Sequence, residues 1–340
     1  MLTLAKNKQK TLSRYHTRLI LLTLVAYLIS GWFLYTHNFP DSLLFTRLTQ
    51  THISPSPFPI SVNPVTKTIS DHPQLQTFIS NELASNHTLP RRAQSRLALV
   101  AKEIFAHHWY QQLASPVSRT LVIYSGQRTE EISTRFAKIL NWNTEEKKQF
   151  ENLLLEITPL FSNGILFPGH YLVERNSSPE LVIATITNRF DTEVRSRYTP
   201  EIEAIVPLSD ILIIASLIER EAYDFTDMRI ISGVIWNRLF IEMPLQIDAT
   251  LQYIRGSNPG ERWWPVPRPA DKFLDSPYNT YQNKGLPPEP IANPSIDAIV
   301  AALNPANTEC LFYFHTSGGG FHCSSDYETH VSQLKEKFGL

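Results

Sequence analysis

The sequence predicts an α+β protein with an N-terminal transmembrane helix, and three observations predict it. A cluster of basic residues precedes an uncharged, mostly apolar run at residues 19–35. Beyond that run, apolar residues recur at spacings of three and four, the period of an amphipathic helix. Between those stripes lie short runs such as Thr120-Leu-Val-Ile-Tyr124, bounded by Gly or Pro, which read as strands. The 340 residues leave room for about two domains once an anchor is set aside. An apolar content of 42% supports an ordinary core. A net charge of −1 argues against a general nucleic-acid binder, which carries a basic surplus.

Residues 1–18 read as a basic cytoplasmic tail: Lys6, Lys8, Lys10, Arg14 and Arg18 fall there, and no Asp or Glu precedes Asp41. The anchor follows over residues 19–37. A span needs about 20 apolar residues, and this run with its flanks, edged by Trp32 and Tyr35, is just long enough. The basic residues orient it as a single-pass inner-membrane helix, N-terminus inside and the rest of the chain periplasmic. A cleavable signal peptide is the competing reading, but the run is long for one and no Ala-x-Ala site follows.

Residues 38–68, with Pro55, Pro57, Pro59 and Pro64, read as a semi-rigid linker that packs no core. Residues 69–118 return to helical spacing (Leu75, Phe78, Ile79; Leu97, Val100, Ile104), broken at Pro90. His107 and His108 are adjacent, so on a helix they point to different faces and form no joint site. Residues 119–190 follow the order strand, helix, helix, strand. The strand at 120–124 ends at the Ser125-Gly126 turn; Thr129-Glu-Glu opens a helix with Ile132, Phe136 and Ile139 on one face. A second helix spans 144–157, a second strand 171–173, and Ser178-Pro-Glu opens a helix through Arg189.

The chemistry concentrates between residues 211 and 294. Residues 211–222 lack a breaker and read as a helix carrying Glu219, Arg220 and Glu221. Glu221 shares its face with Ile214, Leu217 and Ile218, whereas Glu219 lies about 200° round the axis from it. The two carboxylates therefore cannot serve one site from one side. A carboxyl against an apolar face is partly desolvated, its pKa rises, and it suits general acid work near neutral pH. By spacing alone, both could instead be solvated helix charges. Gln246, Asp248 and Thr250 alternate, which places them on one face if residues 243–253 are extended. Thr226-Asp227 reads as the cap of a further helix, with Gly233 permitting close approach. Ser276-Pro-Tyr-Asn-Thr-Tyr281 is a loop whose Tyr278, Asn279, Thr280 and Tyr281 suit hydrogen bonding to amides and hydroxyls. Trp263 and Trp264 could stack on sugars or fill a core.

Taken in order, Ala215-Ser-Leu-Ile-Glu-Arg-Glu221, Asn237-Arg-Leu239, Leu245-Gln-Ile-Asp-Ala-Thr250, Ser276-Pro-Tyr-Asn-Thr-Tyr281 and Gly285-Leu-Pro-Pro288 resemble the YceG-like family of endolytic murein transglycosylases. The motif-bearing likeness covers about residues 211–330, with weaker likeness back to about Arg119. It implies an α+β YceG-like catalytic domain over 200–340 and a LysM-like β-α-α-β subdomain over 119–190. It also implies that Glu221, second glutamate of the triplet, is the catalytic acid. Gln246, Asp248, Thr250, Tyr278, Asn279, Thr280 and Tyr281 would line the substrate cleft. The implied activity is lytic cleavage of peptidoglycan glycan strands, with no cofactor or metal and with cell-wall synthases as partners. A non-catalytic, glycan-binding membrane anchor is the alternative.

Three places depart from the family pattern. Phe167-Pro-Gly-His-Tyr171 stands for Phe-Pro-Asp-Thr-Tyr, Glu289 replaces a glycine, and Phe321-His-Cys323 stands where relatives show His-x-Phe. The Glu289 charge is expected at the cleft rim, and His322 is the candidate to carry the first histidine's role, beside the retained His330. Cys310 and Cys323 are too few for a zinc site. Residues 311–314 and 321–324 read as a hairpin, and counting out from its turn leaves the cysteines offset, so two free thiols are expected.

Overall fold

The structure, a computed structural model, describes residues 56–70, 75, 77–80, 118–158, 162–316 and 318–339. All fall within one unit spanning residues 55–340. The basic tail, the anchor at 19–37 and most of the segment at 69–118, including His107 and His108, lie outside the described residues. Among the described residues, no helix is long and apolar enough to cross a membrane.

Strands β1 (Val62–Asn63) and β2 (Thr68–Ile69) form a small antiparallel hairpin. Here the linker expectation is corrected. Phe58 and Val62 are buried, Phe58 N donates to Arg197 O at 3.1 Å, and Ser61 N donates to Leu303 O at 3.1 Å. Proline removes backbone donors, but this segment's remaining N–H groups and two apolar side chains find partners on the domain, so residues 56–69 belong to it.

Strands β3 (Ser118–Ile123) and β4 (Gly169–Glu174) pair antiparallel, from Ser118 opposite Glu174 to Ile123 opposite Gly169. Period two sends Leu121, Ile123, Tyr171 and Val173 inward. Helix α1 (Thr129–Leu140) ends on Asn141 in the left-handed region. Helix α2 (Thr144–Ile157) starts in a capping box: Asn143 accepts from Glu146 N, and Glu146 accepts from Asn143 N. Helix α3 (Pro179–Glu193) has Pro179 at its first turn. Phe136 and Phe150 meet edge to face at 6.0 Å and close this part of the core. The strand–helix–helix–strand order read at 119–190 is present.

After the short helix α4 (Pro200–Ile205) comes α5 (Leu208–Glu221), in which every residue from 211 to 218 is buried. A helix apolar on all sides must be central. It packs against α6 (Phe225–Phe240) and α8 (Ile296–Leu303), the latter buried from Ala298 to its end. Each buried Ile or Leu here contributes about 1.5–3 kcal/mol relative to exposure. The cap of α6 is Asp224, which accepts from Asp227 N at 3.0 Å, so the helix begins two residues before the expected start. Gly233 meets the chain at Ala306, where a Cβ would lie 2.5 Å from the carbonyl oxygen.

The segment expected to be extended is also corrected. Gln246 adopts φ +50°, a left-handed conformation that stops a strand. Its N–H donates to Thr280 O at 3.0 Å, and helix α7 (Asp248–Gly256) begins two residues later. The hairpin of β5 (Phe312–His315) and β6 (Phe321–Ser324) is as read, and α9 (Tyr327–Phe338) follows. Cys310 and Cys323 form a disulfide with Cα atoms 5.7 Å apart, inside the roughly 7 Å limit. The count from the turn is sound, since Cys323 faces Tyr313. The chain before β5 bends instead, tied by Asn237 Nδ2 to Thr308 O at 2.6 Å and Cys310 O at 3.2 Å.

Candidate active site

Glu221 is the last residue of α5 and is half-buried. The helix brings it to the edge of the core, and the next elements close round it. Ala249 N, from the first turn of α7, donates to Glu221 Oε1 at 3.3 Å. The Tyr313 hydroxyl, from β5, donates to Oε2 at 3.1 Å. Burial raises the Glu221 carboxyl above the usual carboxylate range, and the Asp248 charge adds to that. The bonds from Tyr313 and Ala249, and nearby His315, pull the other way. A carboxyl whose pKa is raised in this way can donate a proton and later take one back.

Glu219 behaves differently, as its helical position requires. Its Oε2 accepts from Ser295 N at 3.0 Å and from Ser295 Oγ at 2.5 Å, fastening the start of α8. Between them, the Arg220 guanidinium lies 3.9 Å over the Trp264 ring. Trp263 stands 5.6 Å from the Arg128 guanidinium and keeps a third of its surface open.

The other residues picked from the sequence divide into two groups. Asp248 and Gln246 are exposed, and Tyr281 is half-buried. The Tyr281 hydroxyl donates to Asp248 Oδ1 at 2.7 Å. Burial raises the Tyr281 pKa, and the bond to Asp248 raises it further. Thr250, Asn279 and Thr280 are buried. Thr250 Oγ1 donates to Ile247 O at 2.7 Å, and Thr280 Oγ1 accepts from Ile247 N at 2.9 Å. Asn279 Nδ2 donates to Leu274 O at 2.7 Å, while its Oδ1 accepts from Tyr281 N at 3.0 Å. These three hold the loop that presents Asp248 and Tyr281. Tyr278 donates to Glu289 Oε1 at 2.5 Å. Glu289 Oε2 accepts from Ser162 N at 2.6 Å and Ser162 Oγ at 2.8 Å, so this charge is tied to the chain ahead of β4.

Two partners went unread in the sequence. Tyr313 and His315 alternate along β5 and so share a face. His315 Nε2 is 3.1 Å from Asp227 Oδ2, with Tyr223 edge-on to the imidazole at 4.7 Å. The alternation was legible; what it faced was not. His322 stacks on Phe314 at 5.0 Å, and His330 packs on Phe312 at 5.4 Å. Both histidines thus lie on the hairpin face opposite Tyr313. Among the described residues, no group of three or more His, Cys, Asp or Glu is placed to hold a metal. An open groove of about 750 Å³ lies in the β-α-α-β part, lined by Trp142, Glu146, Glu174 and Arg175 among others; it shares no lining residue with the surroundings of Glu221.

The profile of the YceG-like family matches residues 95–336. The chain belongs to the YceG-like family. It is 34% identical over 176 residues to the endolytic murein transglycosylase of Bacillus subtilis (strain 168), covering 52% of this chain and 47% of that one. It is 30% identical over 174 residues to the protein of that name from Streptococcus pneumoniae serotype 2 (strain D39 / NCTC 7466), covering 51% of this chain and 32% of the relative. The matched stretch thus spans less than half the length of either curated relative. A crystal structure of a YceG-like protein from Listeria monocytogenes superposes with a TM-score of 0.54 at 27% identity, covering 63% of this chain and 75% of that one.

Proposed function

We propose that this chain is a lytic transglycosylase that cuts the MurNAc–GlcNAc bond of peptidoglycan glycan strands, with Glu221 as its single acid and base. The observation that carries it is the half-buried Glu221 carboxyl, its pKa raised by burial, beside exposed Asp248 and half-buried Tyr281. The relatives named endolytic murein transglycosylase supply the substrate class.

The protonated carboxyl gives its proton to the glycosidic oxygen, and the bond from that oxygen to the muramic C1 breaks. The C6 hydroxyl of the same sugar then attacks C1, and its proton passes to the Glu221 carboxylate. The product is a 1,6-anhydromuramic end, and the acid is restored without water or cofactor. Most glycosidases need two carboxylates; intramolecular attack removes the need for a second. An inverting hydrolase would need one, and Asp248 is the candidate for it. In this reading Asp248, Gln246 and Tyr281 meet the sugar directly, while Thr250, Asn279 and Thr280 support them.

Residues 19–37 anchor the enzyme in the inner membrane with the catalytic part in the periplasm, beside the wall synthases whose strands it would cut. Residues 119–190 act as the LysM-like part. The groove beside Trp142 favours a second reading, in which this part binds glycan and the chain serves as a tether. The deciding experiment incubates purified sacculi with the protein and with Glu221→Gln, then reads products by mass spectrometry. Anhydro-ended products from the first and none from the second are expected. Binding without cleavage by both would leave only the tether.

A further inference from the structure

Both hydrogen bonds to the Glu221 carboxyl come from outside its own helix. Glu221 stands at the C-terminal end of α5, where the helix dipole disfavours negative charge, and its side chain is placed by two groups from elsewhere. Ala249 N can only donate, and does so at the long distance of 3.3 Å. The Tyr313 hydroxyl at 3.1 Å is different in kind. It donates to a carboxylate and can turn to accept from a carboxylic acid. A partner that can reverse its bond can serve a group that alternates between acid and base in both of its states.

Tyr313 itself rests on a thin support. β5 has no fully buried residue, β6 has only Ser324, and α9 has none. An isolated two-stranded hairpin is marginal in water, so this one depends on what it packs against. What holds it is ring contact, such as Tyr313 stacked on Phe321 at 5.9 Å, and polar anchors: Arg238 Nε donates to Leu311 O at 2.6 Å, Asn237 Nδ2 donates to Cys310 O at 3.2 Å, and His315 Nε2 lies 3.1 Å from Asp227 Oδ2. To these is added the covalent bond. Cys323 is the register partner of Tyr313, and its disulfide runs to Cys310, three residues before Tyr313.

We propose that Tyr313 is the positioning residue of Glu221, and that the Cys310–Cys323 disulfide is the brace that keeps Tyr313 in place. The inference rests on Glu221 being the acid and base. The charged and titratable groups round Glu221 are Asp248 of α7, Tyr281 of the 276–281 loop, His315 and Tyr313 of β5, and Arg220 of its own helix. Among the described residues, only Tyr313 both bonds the carboxyl and depends on the hairpin's position.

The test uses the full oxidised chain, Tyr313→Phe, and the Cys310→Ser/Cys323→Ser pair, each checked for a cooperative melt. Tyr313→Phe removes a bond that favours the carboxylate, so the Glu221 pKa rises and the basic limb of the pH–rate profile moves to higher pH. The rate at the optimum should fall about tenfold or more with KM little changed, within the range known for acid–base groups. The serine pair should reproduce both the shift and the loss, and adding Tyr313→Phe to it should add little. Treating the oxidised protein with dithiothreitol, which takes the disulfide's place by closing its own ring, should act as the serine pair does.

A serine pair or reduced protein with the unaltered profile would remove the brace, and an unaltered Tyr313→Phe would remove the positioning role. A serine-pair loss that Tyr313→Phe deepens as much as it does alone would show the two act separately, which also overturns the brace. The Glu221 carboxyl can also be titrated directly by carbon-13 NMR in the same variants. That readout needs no turnover, so it decides the Tyr313 coupling even if the protein cleaves nothing and the transglycosylase reading falls.

Discussion

The two sides of Glu221 are built on different principles. On one side, α5 and α8 are packed aliphatic helices, with eight consecutive buried residues in the first. On the other, the β5–β6 hairpin and α9 offer half-buried aromatic rings, polar anchors and one covalent bond, with Ser324 the one fully buried residue among the described residues of these elements. The first fixes the backbone of the acid; the second supplies a partner for its side chain. Function thus draws on a rigid region for position and on a lightly held region for protonation control.

The sharpest break between the regions comes at their meeting point. Glu221→Gln should lower anhydro-product release by about 10⁴-fold or more, since one positioned acid/base is worth about 10²–10⁴ and here it acts twice. The same variant sharpens the energetic side. A carboxyl whose folded pKa is raised contributes stability below its unfolded value of about 4.3 and loses it as pH rises through the folded value. Wild type should therefore melt below Glu221→Gln at neutral pH, and the gap should close in acid. Melting curves across that range would check it, and a wild type that stays the more stable at pH 7 would contradict the desolvation cause.

Within the packed side, Leu217→Ala should cost about 2–5 kcal/mol by denaturant melt, because the site is sealed and cannot collapse. Glu219→Gln should cost less, about 1–2 kcal/mol, by weakening the hold on Ser295 at the start of α8. Its effect on product release should be small. If Glu219→Gln abolished activity and Glu221→Gln did not, the assignment of faces would be reversed. On the lightly held side, Tyr327→Ala exchanges an exposed ring and should fall within about 0.5 kcal/mol. A loss as large as that of Leu217→Ala would mean that α9 is part of the core after all.

Much of the fold was legible because it rests on local periodicity. The α2 boundaries, the β3 and β4 strands and the β5–β6 hairpin follow from spacing and turn residues, and the two faces of α5 follow from helix geometry alone. The site was legible only in part. Thr250, Asn279 and Thr280 carry polar side chains suited to a sugar, yet each is committed to the protein's own loops. Composition does not distinguish a polar group that awaits a ligand from one that satisfies a neighbour.

What the sequence determined by itself was which residues share a face: Glu221 with the apolar stripe, Glu219 away from it, Tyr313 with His315. Those relations depend on the backbone period and survive any packing. What only the tertiary structure decided was what each face meets. The left-handed turn at Gln246 converts an apparent strand into the helix that offers Ala249 N. The bend before β5 brings Cys310 to Cys323. The carboxyl of Glu221 is desolvated by residues from α7 and β5, tens of positions away in the chain. Long-range contacts set burial, and burial sets the proton affinity on which the proposed chemistry depends.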